Sequence, residues 1–205
     1  MTGATSACPR EHRLMNTKDQ RSHWDLKYQQ GLPSLTEPDP FFIAACEKFV
    51  VPSFPKGGAA LDLAGGLGRH SLWLAGLGWQ VTVVDVSDVA IGKLCRSALD
   101  LNVELELLVG DACAYKFQPA RFDLIVLFYH LDRSLFPRIA SALKPGGLFI
   151  SKMRERWNLD QMSTTAVIDP LQRGELPSLV PELRVLHHEE RPVRDRGVVE
   201  FVGRK

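Results

Sequence analysis

No apolar run in the 205 residues approaches the length of a membrane span, and no apolar signal region stands near the N-terminus. Neither sign of charge dominates: 25 Lys and Arg face 24 Asp and Glu, interspersed, for a net charge of +1. That balance removes the electrostatic argument for a nucleic-acid or membrane-surface partner. The four cysteines, Cys8, Cys46, Cys95 and Cys113, stand far apart, with no C-x-x-C or C-x-x-x-C-x-x-C spacing. Nothing therefore points to a zinc site or a radical-type iron–sulfur cluster, and scattered free thiols suit a reducing, cytoplasmic setting. His187 and His188 are adjacent; in a strand they face opposite ways and make a poor metal pair, so no metal ligands are read. Length and an apolar share of 45% fit one globular domain with a real core.

What is present is organised around Ala59-Ala60-Leu61-Asp62-Leu63-Ala64-Gly65-Gly66-Leu67-Gly68-Arg69-His70-Ser71. A short apolar run ends in a glycine cluster and a helical pattern follows at once: strand, tight turn, helix. Glycines let a ligand approach the backbone with no Cβ in the way. The start of the helix supplies free N–H groups and a positive dipole end, which suit an anionic group. The stretch reads as a nucleotide-type cofactor loop at the carboxyl end of the first strand of an open α/β sheet.

Residues 1–20 are polar and aperiodic and are expected to form a mobile tail, with Met15 a candidate native start. Trp24 and Tyr28 lie i, i+4 on a possible helix. The simpler reading packs both against the domain. The functional alternative makes the segment a flap over the cofactor cleft, with Tyr28 reaching a polar cofactor group. Asp39-Pro40 opens a helix over 41–50, which Pro52 and Pro55 end. The pattern predicts strands ending at Leu63, at 80–85, 103–109, 122–128, 148–151, 183–191 and 198–202, and helices at 68–77, 89–99 and 133–143. Lys144-Pro145-Gly146-Gly147 reads as a hard turn, and 154–181 as a long irregular connection of the kind that forms lids or substrate loops. Alternating strands and helices closed by a hairpin give a mostly parallel sheet with an antiparallel edge.

Two strand-end carboxylates carry chemistry. Asp85 stands about twenty residues after Gly66, where a carboxylate accepts from adjacent ribose hydroxyls. Ser87 and Asp88 remain to cap the next helix. Asp111, beside small Ala112, leaves room for a flat ring and can accept from an exocyclic amine. Capping is the competing reading for both aspartates.

Five motifs in order resemble the class I S-adenosylmethionine-dependent methyltransferases: Leu61-Asp62-Leu63-Ala64-Gly65-Gly66-Leu67-Gly68, Val84-Asp85, Gly110-Asp111-Ala112, Phe122-Asp123-Leu124-Ile125 and Leu143-Lys144-Pro145-Gly146-Gly147. The resemblance runs from about Trp24 to the C-terminus. Trp24…Tyr28, Gly68-Arg69-His70-Ser71, Gly174-Glu175-Leu176 and the closing hairpin are similar to the small tellurite-resistance and thiopurine-type methyltransferases. The resemblance implies an α/β, Rossmann-like, doubly wound, mostly parallel seven-stranded sheet with an antiparallel C-terminal hairpin. It implies one methyltransferase-like domain over 21–205, with 154–181 a substrate lid. For S-adenosylmethionine it implies Asp62, Gly65, Gly66 and Gly68 along the methionine part, with His70 near its carboxylate end. Asp85 would hold the ribose, Val86 would lie beside the adenine, and Asp111 and Ala112 would read its edge. Phe128 and Tyr129 would lie next to the sulfonium.

The acceptor is read as a small molecule. No Asn-Pro-Pro-Tyr or Asp-Pro-Pro-Tyr follows the fourth strand, no Pro-Cys nucleophile appears, and no paired-glutamate loop is present. His130 follows the most apolar strand and titrates near neutrality, which makes it the candidate general base; lining the pocket is its competing role. Arg154 either steers an anionic substrate or is a solvated surface residue. Two rival functions remain open. One is an NAD(P)- or flavin-dependent oxidoreductase, which Gly66-x-Gly68 and Asp85 half fit while Ser71 replaces the third glycine. The other is a non-catalytic cofactor-binding scaffold.

Overall fold

β-branched and leucine-rich runs, each closed by glycine or aspartate, become strands, and the amphipathic stretches between them become helices on both faces. The computed structural model describes residues 17–31, 36–155, 170–193 and 196–205. The strands are β1 (Ala59–Leu63), β2 (Gln80–Asp85), β3 (Leu105–Val109), β4 (Phe122–Phe128), β5 (Leu143–Glu155), β6 (Arg184–Val193) and β7 (Arg196–Arg204). They form one seven-stranded sheet in the order β3-β2-β1-β4-β5-β7-β6. β3 through β5 of that order run parallel, and β7 pairs antiparallel with both β5 and β6. The chain winds outward twice from β1, once through β2 and once through β4, so the strand order reverses between β1 and β4. Ligands of open α/β sheets bind in the crevice that such a reversal opens at the carboxyl ends.

The helices are α1 (Thr17–Gln29), α2 (Pro40–Ala45), α3 (Val51–Ser53), α4 (Arg69–Gly76), α5 (Asp88–Asp100), α6 (Leu135–Ala142) and α7 (Glu175–Leu179). Strand alternation sorts the interior into two cores. Leu124, Val126 and Phe128 of β4 face Phe42, Leu74, Ile91 and Leu94 from α2, α4 and α5. Ile125 and Leu127 face Leu135, Phe136, Ile139 and Leu176 from α6 and α7. Each such side chain stabilises the fold by about 1.5–3 kcal/mol when fully buried. The fork of Arg133 takes both carboxylate oxygens of Glu175, at 2.5 and 3.0 Å, and ties α7 to the start of α6. Among the described residues no helix is long and apolar enough to cross a membrane.

Three local features differ from the sequence expectation. The helix from Pro40 does not stop before Pro52, because a π-helical turn, Cys46–Val50, leads into α3. Pro52 then opens a fresh turn, where its missing N–H goes unneeded. Lys144–Gly147, expected as a turn, is a bulge inside β5: Phe122 pairs Leu143 and Leu124 pairs Leu148, so four residues loop out opposite Asp123. Finally, α1 starts at Thr17, inside the segment expected to be a tail, and contributes no buried residue. Most of the expected lid, residues 156–169, lies outside the described residues, as do residues 1–16 with Met15.

Candidate functional site

The loop after β1 turns back through two left-handed glycines, Gly66 (φ 57°) and Gly68 (φ 71°). Gly68 caps α4, and a Cβ there would strike the Leu94 side chain. A Cβ on Gly66 would stand 2.6 Å from the Tyr28 hydroxyl, so α1 reaches across the loop and sets Tyr28 on it. Asp62, Asp85 and Asp111 stand at or just past the carboxyl ends of β1, β2 and β3, and Asp62 and Asp85 lie against this loop.

Each carboxylate already has partners. Asp62 is buried and accepts from Ser71 Oγ at 2.6 Å; burial pushes its carboxyl up to about 7. Asp85 is buried too, with Oδ2 accepting from Gly66 N–H (2.8 Å) and Oδ1 from Ser87 N–H (2.9 Å). Burial raises its pKa, and those two bonds pull the other way. Ser87 caps α5 by accepting from Ala90 N–H, so Asp85 shapes the glycine loop and the loop's exit from β2 rather than the helix end. A carboxylate offers about four lone-pair sites, so two bonds leave it able to accept more. Asp111 does cap, accepting from Cys113 N–H at 2.8 Å, while its other oxygen accepts from Thr17 Oγ1 of α1. Val86 is half-buried and Ala112 buried beside these acids.

His130 belongs to this group. Its charged neighbours are Asp132, Asp111 and Asp85, and its buried Nε2 has no hydrogen-bond partner. Burial lowers its pKa, with the three carboxylates opposing. A buried orphan nitrogen among acids is a place where a polar ligand atom would be accommodated.

His70 is placed differently. Its ring centroid lies 4.4 Å from both Phe42 and Phe128, and Nε2 accepts from Asp39 N–H at 3.3 Å. Burial, then the charges of Arg69 and Lys152, push it down to about 3, so it stands neutral in the core. Phe128 likewise packs into that core, whereas Tyr129 turns out, 44% exposed, with φ 57°. A non-glycine residue in the left-handed region carries strain, and here its N–H is held by Lys152 O at 2.8 Å.

Lys152 leads to a second polar group that the sequence did not disclose. Its ammonium lies 2.9 Å from Asp39 Oδ1 and 3.0 Å from Glu200 Oε1. Arg69 stands 3.9 Å from Asp39, and Arg191 3.0 Å from Glu200. Burial works to lower the Lys152 pKa, but its bonds to the two carboxylates outweigh that and hold it above the ordinary lysine value. Asp39 was legible only as the cap of α2. A lysine following the apolar run 148–151, like Lys152 within β5, carries no mark of burial. Arg154, by contrast, is exposed.

α1 docks on the rim by polar contacts. Asp25 accepts from Ser87 Oγ (2.5 Å) and Val89 N–H (3.3 Å), Lys93 Nζ donates to Tyr28 O (2.6 Å), and Arg21 meets Asp88 at 3.4 Å. Trp24 stacks on Tyr28, at 5.9 Å, and remains 40% exposed. Trp24 is therefore not packed into the domain, while Tyr28 is half-buried against the glycine loop. Burial of Tyr28 and the charge of Asp85 raise the phenol's pKa, so it stays a donor.

Comparison with known proteins adds independent findings. Residues 60–147 match the family model described as a methyltransferase domain. The ribosomal RNA small subunit methyltransferase C of Alcanivorax borkumensis is 32% identical over 105 residues, 45% of this chain and 31% of that protein. A ubiquinone biosynthesis O-methyltransferase of Burkholderia orbicola is 33% identical over 98 residues, 44% of this chain and 42% of that protein. The chain thus spans less than half the length of these curated relatives. Among solved structures, the [4+2]-cyclase SpnF superposes with a TM-score of 0.76 at 15% identity, covering 92% of this chain and 96% of that one. TehB from Haemophilus influenzae gives 0.72 at 17%, with 89% and 67% covered. The Burkholderia thailandensis 1,6-didemethyltoxoflavin-N1-methyltransferase, solved with 1,6-didemethyltoxoflavin and S-adenosylhomocysteine, gives 0.69 at 18%, with 100% and 93% covered. At these identities the superpositions establish the shared fold.

Proposed function

We propose that the chain, whose residues 60–147 match a methyltransferase-domain model, transfers a methyl group from S-adenosylmethionine to a small-molecule acceptor. One observation carries this reading. Asp62 and Asp85 flank a glycine loop at the strand-order reversal, with Tyr28 across its top, and the orphan Nε2 of His130 has Asp85 and Asp111 among its charged neighbours. Those donors and acceptors fit a cofactor with a ribose, an adenine edge and an amino-acid tail.

S-adenosylmethionine supplies an electrophilic methyl group on a sulfonium; the chain supplies position and a dry site. Asp85 accepts from ribose hydroxyls while holding Gly66 in place, Asp111 and Ala112 meet the adenine edge, and Gly65, Gly66 and Gly68 let the methionine part lie on the backbone. Tyr28 and α1 cover it and exclude water. Tyr129, Lys152, Arg69 and Asp39 bound the far side, where the acceptor enters. His70, neutral and engaged in the core, supports this wall through Asp39.

His130 is the point at which two roles separate. Its charged neighbours are those of the cofactor side, so we assign it to cofactor contact ahead of proton abstraction. His130→Ala then raises the cofactor Kd and leaves turnover near wild type once cofactor saturates. A general base would instead lose roughly two to four orders of magnitude in kcat with Kd unchanged.

The fold is shared with a [4+2]-cyclase, so it does not by itself fix the reaction. The test is calorimetric titration with S-adenosylmethionine and S-adenosylhomocysteine beside NAD(H), NADP(H) and FAD. Binding of the sulfonium pair, weakened in Asp85→Asn, is expected and opens an acceptor screen beginning with thiols and hydroxylated aromatics. Because one relative is named for ribosomal RNA, an RNA arm belongs in that screen. Binding of a dinucleotide alone would overturn the proposal.

A further inference from the structure

The closing hairpin brings together a set of side chains that the methyl-transfer reading does not use. β6 and β7 pair in the register Glu189↔Glu200 and His187↔Val202. Residues two apart in a strand share a face, so His187 and Glu189 stand side by side, with Glu200 directly across. One ligand atom from each lies within 4.8 Å of the other two. The Nε2 of His187 is buried and has no hydrogen-bond partner. Phe41 lies over the same ring, centroids 5.3 Å apart, and shields one side from water. The two cations nearest Glu200, Lys152 and Arg191, both bond its Oε1.

We propose that His187, Glu189 and Glu200 bind one first-row divalent cation of the zinc class. An imidazole nitrogen with two carboxylates selects zinc, cobalt or nickel over magnesium and calcium, which take oxygen donors alone. Three protein ligands leave a coordination position for water. Tetrahedral bonds of about 2.0–2.1 Å put ligand atoms roughly 3.3 Å apart, so the cluster must contract by up to about 1.5 Å from its 4.8 Å bound. Glu189, whose side chain is 52% exposed, is free to swing and supply that movement. One ring nitrogen of His187 supplies the imidazole ligand. The charged groups facing the cluster set its affinity. Lys152 and Arg191 oppose a cation, and Arg191, 3.8 Å from Glu189 and 3.0 Å from Glu200, is the one it must displace.

The adjacent His188 provides an internal control. It faces the other side of the hairpin and pairs with Glu190 at 3.0 Å. The experiment strips the full chain with a chelator and titrates it with zinc alone by calorimetry. Cobalt titration, followed by its visible absorption, reads out nitrogen–oxygen coordination. One ion per chain is expected. His187→Ala and Glu189→Gln should each weaken it by at least about tenfold, His188→Ala should leave it unchanged, and Arg191→Gln should tighten it. Glu189 is at the surface, so its variant keeps the fold and separates lost ligation from unfolding. No saturable binding, or binding that survives Glu189→Gln and His187→Ala, overturns the proposal, as does binding that follows His188. None of these outcomes depends on methyl transfer.

Discussion

His70 makes the stability of this chain sensitive to mild acid. Its Nε2 accepts from Asp39 N–H while two phenyl rings close on the imidazole. Protonation would set N–H against N–H and place a charge in that core beside Arg69 and Lys152, which is why the folded-state pKa is pushed down to about 3. The unfolded chain protonates the same ring near 6.5. A group whose folded pKa is depressed in this way takes protons preferentially in the unfolded state, so acid favours unfolding. From about pH 7.5 to 4.5 the loss attributable to His70 is about 2.7 kcal/mol, two pKa units at 1.36 kcal/mol each. Asp62 and Asp85, with raised pKa values, slope the other way, so the quantity to measure is a difference. His70→Gln keeps an acceptor for Asp39 N–H and cannot protonate; its lost ring packing is a constant offset. Urea unfolding of both proteins across that range, followed by circular dichroism, should show the wild type losing about 2.7 kcal/mol relative to the variant. Parallel stability curves would refute the buried, neutral assignment.

The other expectations are briefer. Asp62→Asn should gain on the wild type as pH rises from about 4 to 7, by up to about 1.4 kcal/mol per unit, because over that window the unfolded carboxyl is ionised while the folded one, with pKa near 7, stays protonated; the same unfolding series reads it. Gly68→Ala combines a left-handed backbone with a collision against Leu94 and should cost about 2–5 kcal/mol of unfolding free energy, read as a lowered denaturant midpoint. Lys152→Met leaves Asp39 and Glu200 without their shared cation and should cost about 3–5 kcal/mol, largely restored when Asp39→Asn is added. A double-mutant cycle that comes out additive would show the cluster to be energetically inert.

The half of the chain from β1 to β4 was legible because two periodicities and the glycines agree there. Apolar runs end at Asp62-Leu63, Asp85 and Val109, and glycine follows wherever the backbone must reverse. Ser87 could be recognised as the cap of α5; that reading left Asp85 for a ligand, whereas the bond it makes to Gly66 N–H of the loop carried no mark in the sequence. Asp111 showed the limit of that logic, since it caps and faces the cleft at once. α1 was read short because it is polar all round: no apolar stripe announces a helix that docks through side-chain and backbone polar groups. The Asp39–Lys152–Glu200 cluster was invisible for another reason. Its members are scattered along the chain, and only the β4–β5–β7 pairing brings them together. His187 and His188 face opposite sides of β6, and Glu200 reaches His187 only through the β6–β7 register, which no local spacing announces.

The manner in which α1 sits on the molecule has one more consequence. It adds nothing to either core, so it can lift off and settle again while the sheet stays intact. Its amides should exchange with solvent long before those of β1 or β4, and added salt should speed that exchange without shifting global unfolding. Residence time of anything in the cleft and thermodynamic stability of the chain are thereby separate properties. Asp25, Arg21 and Lys93, which hold α1 on α5, are expected to govern the first; Leu61, Ile125 and Val126, in the cores, the second. Changes at the former trio can retune how fast the cleft opens while the rest of the fold registers nothing.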